Sequence, residues 1–421
     1  MVYNGFKDAK FDSKRECVVK MLYYKTIRRL REKHGLSHEE FAGMMGCTVD
    51  YVRSLEDKSE GREQATPEFV EKLRDKLNLH GIPLTDDERT VFYTKLNNLK
   101  HALDYGEYDK AADSIPELTR CAEASCYQGF INICDLYTAY YYYAINNIEA
   151  YENIMSTLFE RMQTFDRRQL FYYTYFEGIH ACASRSYNEA LGAFIKAEEL
   201  AKNSLWGDIG FYYVYGMVLS DMGYAAKAVK YHKKAKHIAR WNKDYNGRAN
   251  TRYDVYIDGY LADNLSKIGQ KDEAFDILNK RLEFEKGNKS AKKVIGFLYL
   301  SMGKVYLRIG ECQKADSYFN KAFKYLVKGS EAYNANLYYK ALALITSGKI
   351  SDSIDCVNKG LSKHIDDLWV TLFEVLKHSV SSSESKEYME NIIMPKLLKY
   401  GQHEEILRYY KAPIEIIANI V

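Results

Sequence analysis

The chain has 421 residues, 47% of them hydrophobic and 28% charged, which excludes a disordered polymer and is too long for one compact core. Sixty Lys and Arg against 57 Asp and Glu leave +3, so no global field drives the chain onto nucleic acid or membrane, and any such contact must be local. Only 5 prolines and 25 glycines favour long helices, in several domains or one repeat array.

In chain order, residues 1–20 read as an extension before a second possible start at Met21; they are charged from Lys7 onward and carry no apolar signal region. No stretch approaches the roughly 18 apolar residues of a membrane span. The eight cysteines include no C-x-x-C pair, and Cys121, Cys126 and Cys134 suit neither a zinc site nor a disulfide framework. Reduced thiols and a cytoplasmic location, with no membrane contact, are the expectation.

Residues 21–57 hold apolar positions Ile27, Leu30, Leu36, Phe41, Met45, Val52 and Leu55 at helical spacing, which predicts three short helices. Gly35 ends the first, and Ser37 with Glu40 makes a capping box for the second. Ala42, Gly46, Val52 and Leu55 then stand at the spacing of a helix-turn-helix: a small residue at the crossing, a turn glycine, and two anchors for the recognition helix. Thr66 and Pro67 open a further helix carrying Phe69, Val70, Leu73 and Leu77. Over residues 21–79 this segment resembles the Cro/C1-repressor or XRE type, through Leu36, Ser37, Glu39, Glu40, Ala42 and Gly46. That resemblance implies binding of double-stranded promoter DNA, with His38 approaching a phosphate and Val49, Asp50, Tyr51, Arg53 and Ser54 facing the major groove. Ser37, Thr48 and the first-helix residues Lys25 and Arg28 complete the candidate DNA surface, and Arg29, Arg31 and Lys33 cluster on the same helix. Residues 21–65 carry eight basic and eight acidic residues, so one copy should bind weakly. A homodimer is expected, with half-sites roughly 34 Å apart.

After a linker at 80–89, the sequence repeats itself over 90–380. Gly216, Gly223, Ala228 and Ala235 match Gly303, Gly310, Ala315 and Ala322 at every interval. With these as rulers, Ala111, Ala150, Ala190, Ala228, Ala274, Ala315 and Ser353 share one slot, and Gly106, Gly223, Gly269, Gly310 and Gly348 stand between helices. Seven helix pairs follow. They look like tetratricopeptide repeats stretched beyond about 34 residues. The predicted fold is therefore all-α: an N-terminal helix-turn-helix bundle followed by a right-handed superhelical tetratricopeptide-repeat solenoid, whose concave wall is the default binding surface. Residues 381–421, with Pro395, Gly401 and the apolar run Ile414 to Val421, read as a capping pair or a dimer contact.

Counting along the first helix of each hairpin puts Tyr172, Tyr175, Tyr213, Met217, Tyr256, Asp263, Lys304, Arg308 and Tyr338 on the inner face. Lys304 and Arg308 on successive turns can hold a carboxylate, and Asn264 and Asn336 can clamp a peptide backbone, although each of these also has an internal use open to it. The combination resembles the peptide-pheromone receptors of the RRNPP family. It implies a cytosolic quorum-sensing transcription regulator that binds promoter DNA as a dimer and is switched by a short signalling oligopeptide. The alternative is a repeat protein acting on a response regulator or another protein partner, as a phosphatase or a scaffold. No phosphate loop, H-E-x-x-H or nucleophile motif is present, and His232 and His237 stand five apart, a poor ligand spacing on a helix. Neither enzymatic activity nor a cofactor or metal is expected.

Overall fold

The computed structural model describes residues 27, 28, 30–32, 34–56, 69, 72, 73, 76, 86–125, 127–202, 207–241, 253–287, 292–361, 367–380 and 386–401. Every regular element among them is helical. The chain divides into two compact units, Met1–Leu170 and Phe171–Val421. The first holds both the helix-turn-helix and the opening hairpins. Residues 1–26, with Lys25, lie outside the described residues, as do Arg29, Lys33, Thr66, Pro67, Val70, Leu77, most of the linker, Ser381 to Ser383 and the tail from 402.

In the first unit, α1 (His38–Met45) and α2 (Val49–Glu56) follow helical residues around Ile27 and Leu30. The capping box forms as the spacing predicts: the Glu40 N–H donates to Ser37 Oγ at 3.1 Å and the Ser37 N–H donates to Glu40 Oε2 at 2.8 Å. Gly46 ends α1 at φ 64°, a conformation costly for residues with a Cβ, and sets the angle between the two helices. Ile27, Leu30, Phe41, Ala42, Met45, Val52, Leu55, Phe69 and Leu73 form one buried core.

Among the described residues, seven helical hairpins follow. In the first unit they are α3 (Asp86–Tyr105) with α4 (Tyr108–Ser125), and α5 (Gln128–Ala144) with α6 (Ile148–Glu160). Then come α7 (Arg167–Ala183) with α8 (Tyr187–Leu200), α9 (Ile209–Asp221) with α10 (Ala225–Trp241), and α11 (Asp254–Lys267) with α12 (Lys271–Gly287). The last two are α13 (Lys292–Arg308) with α14 (Cys312–Phe323) and α15 (Glu331–Thr346) with α16 (Ile350–Leu361). Beyond them stand α17 (Asp367–Val380), a π-helical turn at Met389–Ile393 and α18 (Met394–Lys399). Met389, Ile393, Met394 and Leu397 join Leu337, Trp369 and Phe373 in one core, and Gly401 lies against Tyr187 and Met222, so the second unit folds back on its own first helices.

Each hairpin turn has the same construction. A residue with positive φ follows the first helix, and the next N–H donates five residues back, as Tyr224 does to Leu219 O at 2.7 Å and Lys349 to Leu344 O at 2.9 Å. Glycine fills this place at 106, 223, 269, 310 and 348, while Asn146 and Arg185 fill it in the other two. The slot five residues later is small and fully buried at Ala111, Ala190, Ala228, Ala274, Ala315 and Ser353. In the second hairpin that slot belongs to Tyr151, buried to 3%, and not to Ala150 as the spacing predicts. The reason is that Asn146 takes the left-handed turn and Asn147 caps α6, which moves the frame one residue on.

A size match locks each pair of helices. Gly178, Gly216 and Gly303 on the first helices face Phe194, His232 and Phe319 on the second, each sixteen positions later. A Cβ at Gly303 would lie 2.6 Å from Cδ1 of Phe319, and one at Gly216 would lie 2.7 Å from Nε2 of His232. At the same interval Ala139, Ala262 and Ala341 go with Met155, Leu278 and Val357, all buried. Rings take glycine and aliphatic side chains take alanine, as close packing requires.

Candidate functional site

Two regions carry the candidate residues, and each lies within one unit. In the helix-turn-helix, Glu56 at the end of α2 accepts both Arg31 Nε (2.7 Å) and Arg31 Nη2 (2.8 Å), and His38 Nε2 lies 3.1 Å from its Oε2. This buried carboxylate ties the first helix, α1 and α2 together. His38 is thus turned toward Glu56, whereas the resemblance placed it at a phosphate. Ser37 caps α1 and Thr48 Oγ1 accepts the Tyr51 N–H at 3.2 Å, so both hydroxyls serve helix starts. Ser54 Oγ bonds back to Tyr51 O, and the Tyr51 ring meets Phe69 edge-on at 5.5 Å, so this tyrosine braces the recognition helix. Asp50 and Arg53 are exposed on α2, Val49 half-exposed; Arg53 lies 3.5 Å from Glu39, and Arg28 pairs with Glu32 at 2.8 Å. Exposed pairs of this kind are weak enough to exchange for phosphate.

The second region is the inner side of the hairpins in the second unit. Tyr213, Met217, Tyr256, Lys304 and Arg308 are half-buried there. Tyr213 stands 5.3 Å from Tyr253 and 6.2 Å from Tyr260, in an aromatic group that closes over the buried His232. Burial drives that imidazole down to about 3, so it is neutral at any physiological pH. Tyr172, Tyr175 and Tyr338, expected on an open wall, are buried: Tyr175 packs against Phe211 and Phe194, and Tyr338 against Trp369 and Phe373. Positions counted along one helix fall on the flank that meets the next hairpin. Asn264 and Asn336 are likewise buried; their Nδ2 atoms donate to Ser220 Oγ (2.9 Å) and Phe319 O (3.0 Å), which ties neighbouring helices together.

Lys304 is engaged too. Its Nζ donates to Asp263 Oδ2 at 2.7 Å and sits over the Tyr339 ring, while Lys267 approaches the same carboxylate at 3.8 Å. Burial alone would raise the Asp263 carboxyl, but Lys304, Lys267 and Arg308 outweigh it and hold it well below the usual range. Asp221 shows the opposite balance: burial pushes its carboxyl up to about 6 despite Lys304 and Lys267. Tyr187 donates to Asp221 Oδ2 at 3.3 Å and accepts Arg185 Nη1 at 3.2 Å, and Arg185 Nη2 reaches Glu331 Oε1 at 2.7 Å. Sequence reasoning missed Asp221, Lys267, Arg185 and Glu331; the one visible signal was an arginine in a turn slot that otherwise favours glycine.

Among the described residues no group of three or more His, Cys, Asp or Glu could hold a metal, and no helix is long and apolar enough to cross a membrane. The six described cysteines, at 47, 121, 134, 182, 312 and 356, form no disulfide.

No family model matches the chain. The transcriptional activator NprA of Geobacillus stearothermophilus is 19% identical over 295 residues, covering 65% of this chain and 70% of that protein. The crystal structure of NprR in complex with its cognate peptide NprX matches with a TM-score of 0.61 at 18% identity, over 77% of this chain and 96% of that one. A Rap protein complexed with Competence and Sporulation Factor matches with a TM-score of 0.62 at 16% identity, over 79% and 97%. The apo quorum sensor NprR from B. thuringiensis gives 0.57 at 19% identity, over 80% and 95%. The helical-repeat fold is shared with these structures.

Proposed function

We propose that this chain is a peptide-responsive transcription regulator of the RRNPP type. Residues 21–79 read promoter DNA, 80–89 link, the hairpins of 90–380 take a short signalling peptide on their inner side, and 381–421 cap the array. The observation that carries this reading is the helix-turn-helix itself, with its capping box, its left-handed Gly46 and its buried anchors Val52 and Leu55, in one chain with repeats of the NprR fold. NprR is a quorum sensor described with a cognate peptide, and NprA is a transcriptional activator. A homodimer follows from the weak charge of a single reading domain, and a cytoplasmic location from the cysteine pattern.

Selection of random duplex DNA by the full-length protein tests this. The expected result is an enriched motif with two half-sites about one helical turn apart, lost in Arg53→Ala with Ser54→Ala. If no sequence is enriched, the DNA-reading assignment fails. The second reading, action on a protein partner, draws support from the Rap fold match and from exposed Asp50, whose charge opposes phosphate on the recognition helix. It gains if DNA selection fails while peptide binding survives.

A further inference from the structure

The turn between α7 and α8 holds Arg185 at φ 61°, in the place that glycine takes in five other hairpins. Left-handed backbone costs an arginine roughly 1 kcal/mol, and asparagine, found at 146, is far better suited to it. The side chain is not released to solvent in return: it is 19% exposed and turned inward, with Nη1 on the Tyr187 hydroxyl and Nη2 on Glu331. Tyr187 in turn is fixed by Asp221, so the guanidinium is aimed by a buried chain of hydrogen bonds. Its acidic partner is different in kind. Glu331 is the first residue of α15, four hairpins further on, and its side chain is 64% exposed. Lys304, by contrast, is bonded to the buried Asp263, which nothing from solvent can readily replace.

We propose that Arg185 is the anion-binding residue of the ligand site, and that Glu331 holds the place taken by a carboxylate of the bound peptide, either an acidic side chain or the free C-terminus. This rests on the peptide-binding reading above. A planar, inward-held guanidinium accepts a carboxylate through two parallel hydrogen bonds, and exchanging one carboxylate for another leaves no buried charge unpaired. It also moves the carboxylate role from Lys304 and Arg308 to a residue in a hairpin turn.

The test uses the full chain and an equimolar pool of short random-sequence peptides with free C-termini. Retained peptides are identified by mass spectrometry, and the strongest binders are titrated individually as acids and amides. Three proteins are compared: wild type, Arg185→Gly, which keeps the turn and removes its strain, and Glu331→Gln, which removes the internal competitor. Peptides retained by the wild type should share a carboxylate at one position. Their affinity should fall at least about tenfold in Arg185→Gly and rise in Glu331→Gln. Neutralising that carboxylate should abolish both effects. A merely structural strap predicts the same sign for both variants, and that result, or no change in either, overturns the proposal. Equal retention of acidic and neutral peptides by all three proteins overturns it as well. If the wild type retains no peptide, the peptide-binding reading falls first and this inference with it.

Discussion

Gly303→Ala adds one carbon where the structure has no room for it. The new Cβ would stand 2.6 Å from Cδ1 and 2.9 Å from Cζ of Phe319, against the 3.4 Å or more of ordinary contact. The ring must therefore retreat by roughly 1 Å, yet Phe319 is fully buried among Leu300, Ala315, Ala322, Leu326 and Ala343. Overpacking of this kind costs up to about 3 kcal/mol, and the helix propensity gained on replacing glycine returns about 1 kcal/mol, which leaves a net loss of about 2 kcal/mol. Phe319→Leu alone opens a cavity and costs about 1 to 2 kcal/mol. Together the two changes recreate the Ala262 and Leu278 pairing of the α11–α12 hairpin, so the double variant should return to within about 1 kcal/mol of the wild type. Urea unfolding followed by circular dichroism on all four proteins gives the coupling energy, expected at about 2 to 3 kcal/mol. Additive losses, with the double variant weakest of all, would refute the size-matched lock.

Asp263→Asn should destabilise the second unit by about 3 to 5 kcal/mol, because Lys304 is left buried without its partner, and Lys304→Met added to it should recover most of the loss in the same unfolding assay. Asp221 has its carboxyl raised to about 6, so the folded state holds that proton more tightly than the unfolded chain; stability is present at low pH, declines as pH rises from about 4 to 6, and stays reduced above. Asp221→Asn should therefore gain about 2 to 3 kcal/mol over the wild type at pH 7 and nothing at pH 4, whereas parallel stability curves would show that the burial penalty is absent. Glu56→Gln breaks the two-point bond to Arg31 and should cost the helix-turn-helix about 3 kcal/mol, read as lost hydrogen-exchange protection in residues 38–56 with the hairpins unaffected.

Much of this architecture could be read from residue types alone because its causes are local. Ser37 and Glu40 announce a cap across three residues, and glycine at 106, 223, 269, 310 and 348 announces turns that a side chain would strain. The frame slipped by one at Ala150, where asparagine replaces the turn glycine and Tyr151 replaces the small residue. The inner face was harder. Whether a tyrosine such as Tyr175 lines a wall or fills a seam depends on how neighbouring hairpins rotate against each other, which no single helix encodes. Partners distant in sequence were illegible altogether: Asp263 and Lys304 are 41 residues apart, and Arg185 and Glu331 are 146.

Those two length scales also set an order of events during folding. The locks between Gly178 and Phe194, Gly216 and His232, and Gly303 and Phe319 close over sixteen residues, so each hairpin can consolidate as soon as its own segment has left the ribosome. The contact of Arg185 with Glu331 must wait until three more hairpins have been synthesised, and it closes a loop of 146 residues at a higher entropic cost. Loss of this late tie leaves every one of those locks intact, so it can open without unfolding a hairpin.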